Sequence, residues 1–255
     1  MNDDLKSLAE RFAGQGVIRR ILFHESVDST NNVARELARA DPASAGCVVL
    51  ADQQTKGKGR SGRSWISPPG TGLWMSLILD THTSPEKFYL INQICSLSIA
   101  QTVQYITPGV AELKWPNDVL VEKRKVAGVL LETLQVRDRW KIIAGIGINV
   151  NQTAFPDELQ EVATSLRLIS GQIHNRANVL EVFLHELSEV HSWSETELLR
   201  RWKDGCKLWG KEVKISRGSE TFVARVIDLA DDGGLKIERD LREEIIYAAD
   251  VSLRL

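Results

Sequence analysis

The stretch "ADQQTKGKGRSGRSWISPPG", residues 51–70, decides the fold of this chain. Within it "GKGRSG" satisfies the G-x-G-x-x-G of dinucleotide-binding folds, and "GKGRSGRS" satisfies the phosphate loop G-x-x-x-x-G-K-[ST] with Arg63 in place of lysine. Both motifs hold phosphate on the N–H groups and positive dipole end of a helix that begins directly after the glycines. Here the next residues are "SWISPPGTG", and Pro68, Pro69, Gly70 and Gly72 forbid a continuous helix. Neither nucleotide fold is therefore expected. What remains is a loop between strands, with Lys58, Arg60 and Arg63 on a backbone that glycine allows to curl, a concave cationic wrapper suited to phosphate. A solvated surface loop is the plainer alternative. A tip without its anion is expected to lack order and to close over ligand, with Trp65 as an apolar lid or stacking surface.

Outward from the loop, "RRILFHESV" (19–27) predicts a strand, "DSTNNVARELARA" a capped helix, "GCVVLADQQ" a second strand and "GLWMSLILD" (72–80) a third. The run from Glu86 to Tyr105 lacks Gly and Pro and is apolar on more than one side, as expected of a buried helix. Next, "ELKWPNDVLVEKRKVAGVLLETLQVRDRWKIIAGIGINVN" reads as three strands separated at "EKRK" and "RDR". After Pro156 a polar connection leads to a long helical stretch from Asn178 to Asp204. The remaining short strands, with turns at "RGSE" and "DDGG", predict a small β-barrel, so a boundary is placed near Gly205, dividing the chain into 1–205 and 206–255.

The 255 residues, 43% hydrophobic and 26% charged, suffice for one large domain or one large and one small. Because 32 basic residues nearly balance 34 acidic ones, no global field argues for nucleic acid or an anionic membrane, and any basic site must be local. Cys47, Cys95 and Cys206 form no C-x-x-C pair or even set, so neither a disulfide framework nor a zinc site is expected. The opening "MNDDLKSLAERF" lacks an apolar h-region and no apolar run approaches the ~18 residues of a membrane span, so the expected location is cytoplasmic. His24, His82, His174, His185 and His191 show no metal or triad spacing and receive no role.

With these residues in view, the chain resembles the biotin protein ligase family, whose loop is G-R-G-R-x-G-R where this sequence has Gly57, Lys58, Gly59, Arg60, Ser61, Gly62 and Arg63. "DSTN" (28–31), "KWPND" (114–118), "KVAG" (125–128) and "GIGINV" (145–150) resemble further family motifs in family order. The resemblance covers most of residues 20–151, and the C-terminal strands fit it too. It implies an α+β fold: a mixed, largely antiparallel sheet with flanking helices, like the class II aminoacyl-tRNA synthetase core, plus an SH3-like C-terminal barrel. It also implies ATP, Mg2+ and biotin as ligands, biotinyl-5'-AMP as the intermediate, and a biotin carboxyl carrier domain as the acceptor.

The resemblance carries roles onto single residues. Lys125 is implied between the biotin carboxylate and the α-phosphate, although a lysine in "EKRKV" is equally readable as a solvated loop cation. Arg60 and Arg63 are implied to close over the phosphates, and Lys58 with Gly59 to meet the biotin ring, largely through the backbone at Lys58, which departs from the family's arginine. Ser29, Thr30 and Asn31, also readable as helix caps, are implied with Gln54 to meet the ureido group. Asn117 and Asp118 are implied for the nucleotide and its magnesium, where a turn would equally use Pro116 and Asn117. Lys114, Trp65 and Asn149 are further expected nucleotide contacts. Gly145 and Gly147 leave one strand face bare, either for a flat ring or for a packed helix.

Fewer than about twenty residues precede the first expected strand, too few for a helix-turn-helix, so no DNA partner is expected. No membrane partner is expected either, and a monomer or an edge-to-edge homodimer fits the resemblance. Two rival functions stay open: a lipoate or octanoate ligase, and a binding protein that has lost its chemistry. Lipoate has no ureido group, so the polar set at 29–31 and 54 argues for biotin.

Overall fold

The computed structural model describes residues 5–12, 14–81, 88–136, 139–247 and 250–253. His82 and the expected helix start at Glu86 lie outside them.

A seven-stranded sheet carries the site. In chain order its strands are β1 (Arg20–Val27), β2 (Cys47–Gln54), β3 (Gly72–Thr81), β4 (Ala111–Lys114), β5 (Asp118–Val121), β6 (Arg124–Val136) and β7 (Arg139–Asn149), arranged β1-β2-β3-β7-β6-β5-β4. Only β1 and β2 pair in parallel, because α2 (Thr30–Ala40) crosses between them; every other neighbouring pair is antiparallel. The expected mixed, largely antiparallel sheet is found. Its central strand β7 is covered on both faces, which is why Ile142, Ile143, Ala144, Ile146 and Ile148 run almost without polar interruption.

On one face α2 sets Ala34 and Ala38 against Val49, Ile78 and Ile143. On the other lies the main core, under α3 (Phe88–Ile106), α5 (Arg176–His191) and α6 (Glu195–Gly205). Helix α3 is hemmed between sheet and helices, and its buried Ser96, Ser98 and Thr102 hydroxyls each bond back to a carbonyl one turn earlier at 2.8 Å. The charged opening segment forms a short helix, α1 (Leu5–Arg11), whose Leu5, Leu8 and Ala9 are buried beside β1 and α5. A further short helix, α4 (Leu166–Ser170), starts at a Ser165 cap.

Two expectations are corrected. The run 111–149 forms four strands, because "WPN" is a turn separating β4 from β5, and four-residue strands such as "AELK" are too short to show a period. The β5–β6 hairpin turns through Glu122 and Lys123, both left-handed at φ 51 and 64. The long helix expected over 178–204 is two helices, since Ser194 caps α6 by accepting from Glu197 N at 3.2 Å, a start signal, "SETE", that lies inside a continuous helical pattern.

The C-terminal residues form a separate five-stranded antiparallel sheet: β8 (Glu212–Arg217), β9 (Glu220–Leu229), β10 (Leu235–Arg239), β11 (Arg242–Ile246) and β12 (Asp250–Leu253), ordered β11-β10-β9-β8-β12. This is consistent with an SH3-like domain. Among the described residues no helix is long and apolar enough to cross a membrane.

Candidate active site

The glycine-rich segment is a hairpin-like excursion between β2 and β3. Gln54 N bonds Ser67 O at 3.1 Å, Trp65 N bonds Gly57 O at 2.9 Å and Gly59 N bonds Arg63 O at 2.7 Å, closing the loop on itself. A single 3-10 turn, Arg60–Gly62, forms the tip, with Ser61 left-handed at φ 53 and Gly62 at φ 75. The backbone of the tip closes on itself, and Lys58 Nζ anchors it to Asn32 Oδ1 on α2 at 2.5 Å.

One end of the site is a polar chain. The amide oxygen of Gln54 accepts from Thr30 N at 2.8 Å and Thr30 Oγ1 at 3.0 Å, while its Nε2 donates to Ser67 Oγ at 2.9 Å. Ser76, fully buried on β3, places its hydroxyl 2.7 Å from Thr30 Oγ1 and 2.6 Å from Asn31 Oδ1. Asn31 Nδ2 continues to Glu132 at 2.8 Å, and Glu132 pairs with Arg35 at 2.7 Å. Ser29 holds the N-cap position of α2 but its side chain makes no cap bond, and Thr30 and Asn31 already lie inside the helix. Instead Asp28 accepts from Ser29 N at 2.6 Å and from Asn32, and the Asn32 bond foremost holds its carboxyl below the usual range.

The glycines on β7 are occupied in different ways. A Cβ at Gly145 would collide with Asn31 Oδ1, so here the packing of a helix uses the bare face. At Gly147 a Cβ would come within 2.6 Å of Trp65 Cε2 and Nε1, so the indole lies on the strand. Trp65 Nε1 is buried with no hydrogen-bond partner, a donor aimed at no protein acceptor.

The other end is charged. Lys125 Nζ lies 2.6 Å from Asp118 Oδ1 and 5.0 Å from the centroid of the Trp65 ring. Arg60 reaches across the site to Asn117 Oδ1 at 3.2 Å, and Asn117 is itself fixed to Val129 O at 2.6 Å. Arg63, Lys114 and Lys123 complete the cationic rim. Asn149 lines the wall, its amide held by Thr164 O at 3.0 Å and Gln152 Nε2 at 3.1 Å.

These parts enclose one cavity of about 470 Å³, and it touches every residue singled out from the sequence for the site. Several of its walls were not foreseen. Phe155, Leu159, Val162 and Ala163 form an apolar side, and this segment is pinned to Lys125, whose N bonds Val162 O at 2.7 Å and whose O accepts from Thr164 N at 2.9 Å. No local period marks a polar connection as a pocket wall. Ser76, which lies behind Thr30 and Asn31 and not on the cavity wall, had a signal: it is the one hydroxyl in the apolar run "GLWMSLIL". Ser216 of β8 also reaches the cavity.

The cavity thus joins a polar end, at Thr30, Asn31 and Gln54, to a cationic end that bears the Asp118 carboxylate. Residues 23–149 match the Biotin/lipoate A/B protein ligase family and residues 209–254 the biotin protein ligase C-terminal domain. Over 244 residues the chain is 33% identical to the bifunctional ligase/repressor BirA of Bacillus subtilis (strain 168), covering 92% of this chain and 74% of that protein. It is 28% identical over 259 residues to the biotin--[acetyl-CoA-carboxylase] ligase of Mycobacterium tuberculosis, covering 97% and 94% of the two chains. The biotin protein ligase from Aquifex aeolicus solved in complex with biotin and ATP superposes with a TM-score of 0.77 at 34% identity, covering 92% of this chain and 98% of that one. The chain belongs to the biotin protein ligase family.

Proposed function

We propose that this protein is an ATP-dependent ligase that activates biotin as biotinyl-5'-AMP and transfers it to a lysine of a biotin carboxyl carrier domain. The observation that carries this reading is the convergence, on one cavity, of the Thr30–Gln54 polar end with Lys125, Arg60 and Arg63. In the first step a biotin carboxylate oxygen attacks the α-phosphorus of ATP and the bond to the β-phosphate breaks, releasing pyrophosphate. Two anions must meet, and unit charges ~4 Å apart repel by about 4 kcal/mol at an effective dielectric of ~20. Lys125 reverses that sign because a compact ammonium with three donors can touch both anions, and Arg60 and Arg63 close over the phosphates. Lys125 then exchanges its Asp118 partner for substrate oxygens.

In the second step the neutral amine of the acceptor lysine attacks the acyl carbon, the bond to phosphate breaks, AMP leaves and the proton passes to solvent. Ser29, Thr30, Asn31, Gln54, Lys58 and Gly59 are assigned to the ring end with Gly145 and Gly147 behind them, and Trp65, Lys114, Asn117 and Asn149 to the nucleotide. Among the described residues Asp118 is the only acidic residue lining the cavity, and no group of three or more His, Cys, Asp or Glu could hold a metal. Magnesium would therefore rest on Asp118 with phosphate oxygens and water, which fits a hard cation that keeps part of its hydration. Bound there, it would neutralise developing phosphate charge. A cytoplasmic location, a catalytic part over 1–205 and a C-terminal part over 206–255 belong to the same reading.

The test is ATP–pyrophosphate exchange with magnesium, run with biotin, with lipoate and with neither. Exchange with biotin alone is expected. Exchange with lipoate instead would transfer the ring end to a different acid, and exchange with neither would leave a binding protein. Whether two subunits pair edge to edge is decided by the mass in solution with ligands present, a monomer ruling it out.

A further inference from the structure

The turn between β9 and β10 brings the C-terminal sheet against the catalytic sheet at a buried point. The Gly233 carbonyl accepts from Trp115 Nε1 at 3.1 Å and from Gln93 Nε2 at 3.4 Å. Trp115 and Gln93 are each 1% exposed, so this carbonyl has no water to replace either donor. Gly233 sits at φ +88, and a Cβ there would lie 2.7 Å from Gln93 Nε2 and 3.0 Å from Tyr89 Cβ. Only glycine allows the approach. Asp232 braces the turn, accepting from Gly234 N at 3.0 Å and from Tyr247 OH at 2.6 Å, and the Tyr247 ring packs on Tyr89 with centroids 5.2 Å apart.

The same indole begins the turn that enters the cavity. Directly after Trp115 comes Pro116, whose carbonyl accepts from Asn92 Nδ2. Then come Asn117, in contact with Arg60, and Asp118, in contact with Lys125. Two consecutive amides of α3 thus hold the turn and the Gly233 carbonyl, while Asn92 Oδ1 and Gln93 Oε1 stay buried without partners. Burying two unpaired acceptors is unfavourable, and a pure packing contact would be better served by apolar side chains.

We infer that Trp115, Gln93 and Gly233 are positioning residues for the nucleotide step: the C-terminal sheet, through the Gly233 carbonyl, orients the 115–118 turn that presents Asn117 and Asp118. This rests on the ligase reading above. The tether acts on the triphosphate end and leaves the ring end, built from α2, β2 and β3, unaffected.

The test is Trp115→Phe, which keeps an aromatic ring and deletes the donor. In biotin-dependent exchange the KM for ATP is expected to rise about tenfold, the order expected when a buried carbonyl loses its partner. Biotin affinity without ATP is expected to stay within twofold of wild type. An unchanged KM for ATP, or equal losses for ATP and biotin, overturns the inference. Gln93→Met, which keeps the side-chain length and removes the second donor, should shift the KM for ATP the same way by a smaller factor, and it carries the decision if Trp115→Phe does not fold. Backbone hydrogen exchange of the ligand-free variants gives a readout independent of activity: faster exchange across 115–121 with 29–37 unchanged is expected, and unchanged exchange at 115–121 overturns the inference. A wild-type protein without biotin-dependent exchange would refute the ligase reading, while hydrogen exchange would still decide the tether.

Discussion

At the scale of single residues the charged end of the site is built from pairs, Lys125 with Asp118 and Arg60 with Asn117. Lys125 is held 2.6 Å from Asp118, so on the proposed mechanism the incoming carboxylate and triphosphate would compete for a cation already in place. On the proposed mechanism Lys125→Ala lowers exchange by about 10²-fold or more, the scale of removing one electrostatic stabiliser of developing charge; wild-type exchange in that variant would break the mechanism at its centre. Arg60 bridges the loop to Asn117, and Arg60→Ala is expected to shorten retention of the adenylate more than it weakens biotin binding, measured by dissociation of each. Gly145 is a packing residue toward α2 as well as part of the cavity. Gly145→Ala would drive a methyl into Asn31 Oδ1 and is expected to lower stability by about 1–3 kcal/mol in urea unfolding, as overpacking does in a closed site.

At the scale of elements the position of each motif follows from what flanks it. The glycine-rich loop was legible as non-helical because two prolines follow it, and its closure as a hairpin accords with strands on both sides. The break between α5 and α6 was not read, since helical periodicity runs through "HSWSET" and the local Ser194 cap competes with it. Away from the cavity, near its start, β7 carries a buried lysine, Lys141. Lys141 Nζ donates to Pro42 O and Ser44 Oγ, each at 2.9 Å, and lies 3.3 Å from Asp80. It is four residues from Gly145, about 13 Å along an extended strand at ~3.3 Å per residue. Lys141→Met is therefore expected to reduce stability by about 1–3 kcal/mol through orphaned acceptors and to leave exchange kinetics unchanged at a temperature where the variant is folded.

At the scale of the whole molecule, stability depends on pH through groups distant from the chemistry. Burial lowers the pKa of both His174 and His191 below the ordinary 6.5. The unfolded chain therefore binds more protons than the folded one just below that value. The stabilisation from keeping these rings neutral is complete above pH 6.5 and is lost as pH falls toward their folded values. Both rings are partly exposed, so each contributes modestly. His174→Gln and His191→Gln are expected to flatten the decline of the urea midpoint as pH falls below about 6.5, and an unchanged slope in both would exclude these histidines as its source.

The chain by itself determined the character of its parts: a cationic glycine loop that cannot open a helix, apolar strands around it, a balance of charge that confines any basic site to one place, and motifs whose order resembles a ligase. Those properties are local, written in side-chain chemistry and in spacings of a few residues. Only the tertiary structure decided what each part meets. It set Asn31 over Gly145, Trp65 over Gly147, Lys125 against Asp118, the 155–163 segment along the cavity and the Gly233 carbonyl on Trp115. Most of these join segments far apart in sequence, and Lys125 meets Asp118 across the β5–β6 hairpin; such contacts depend on sheet order and register, which local pattern and propensity leave open.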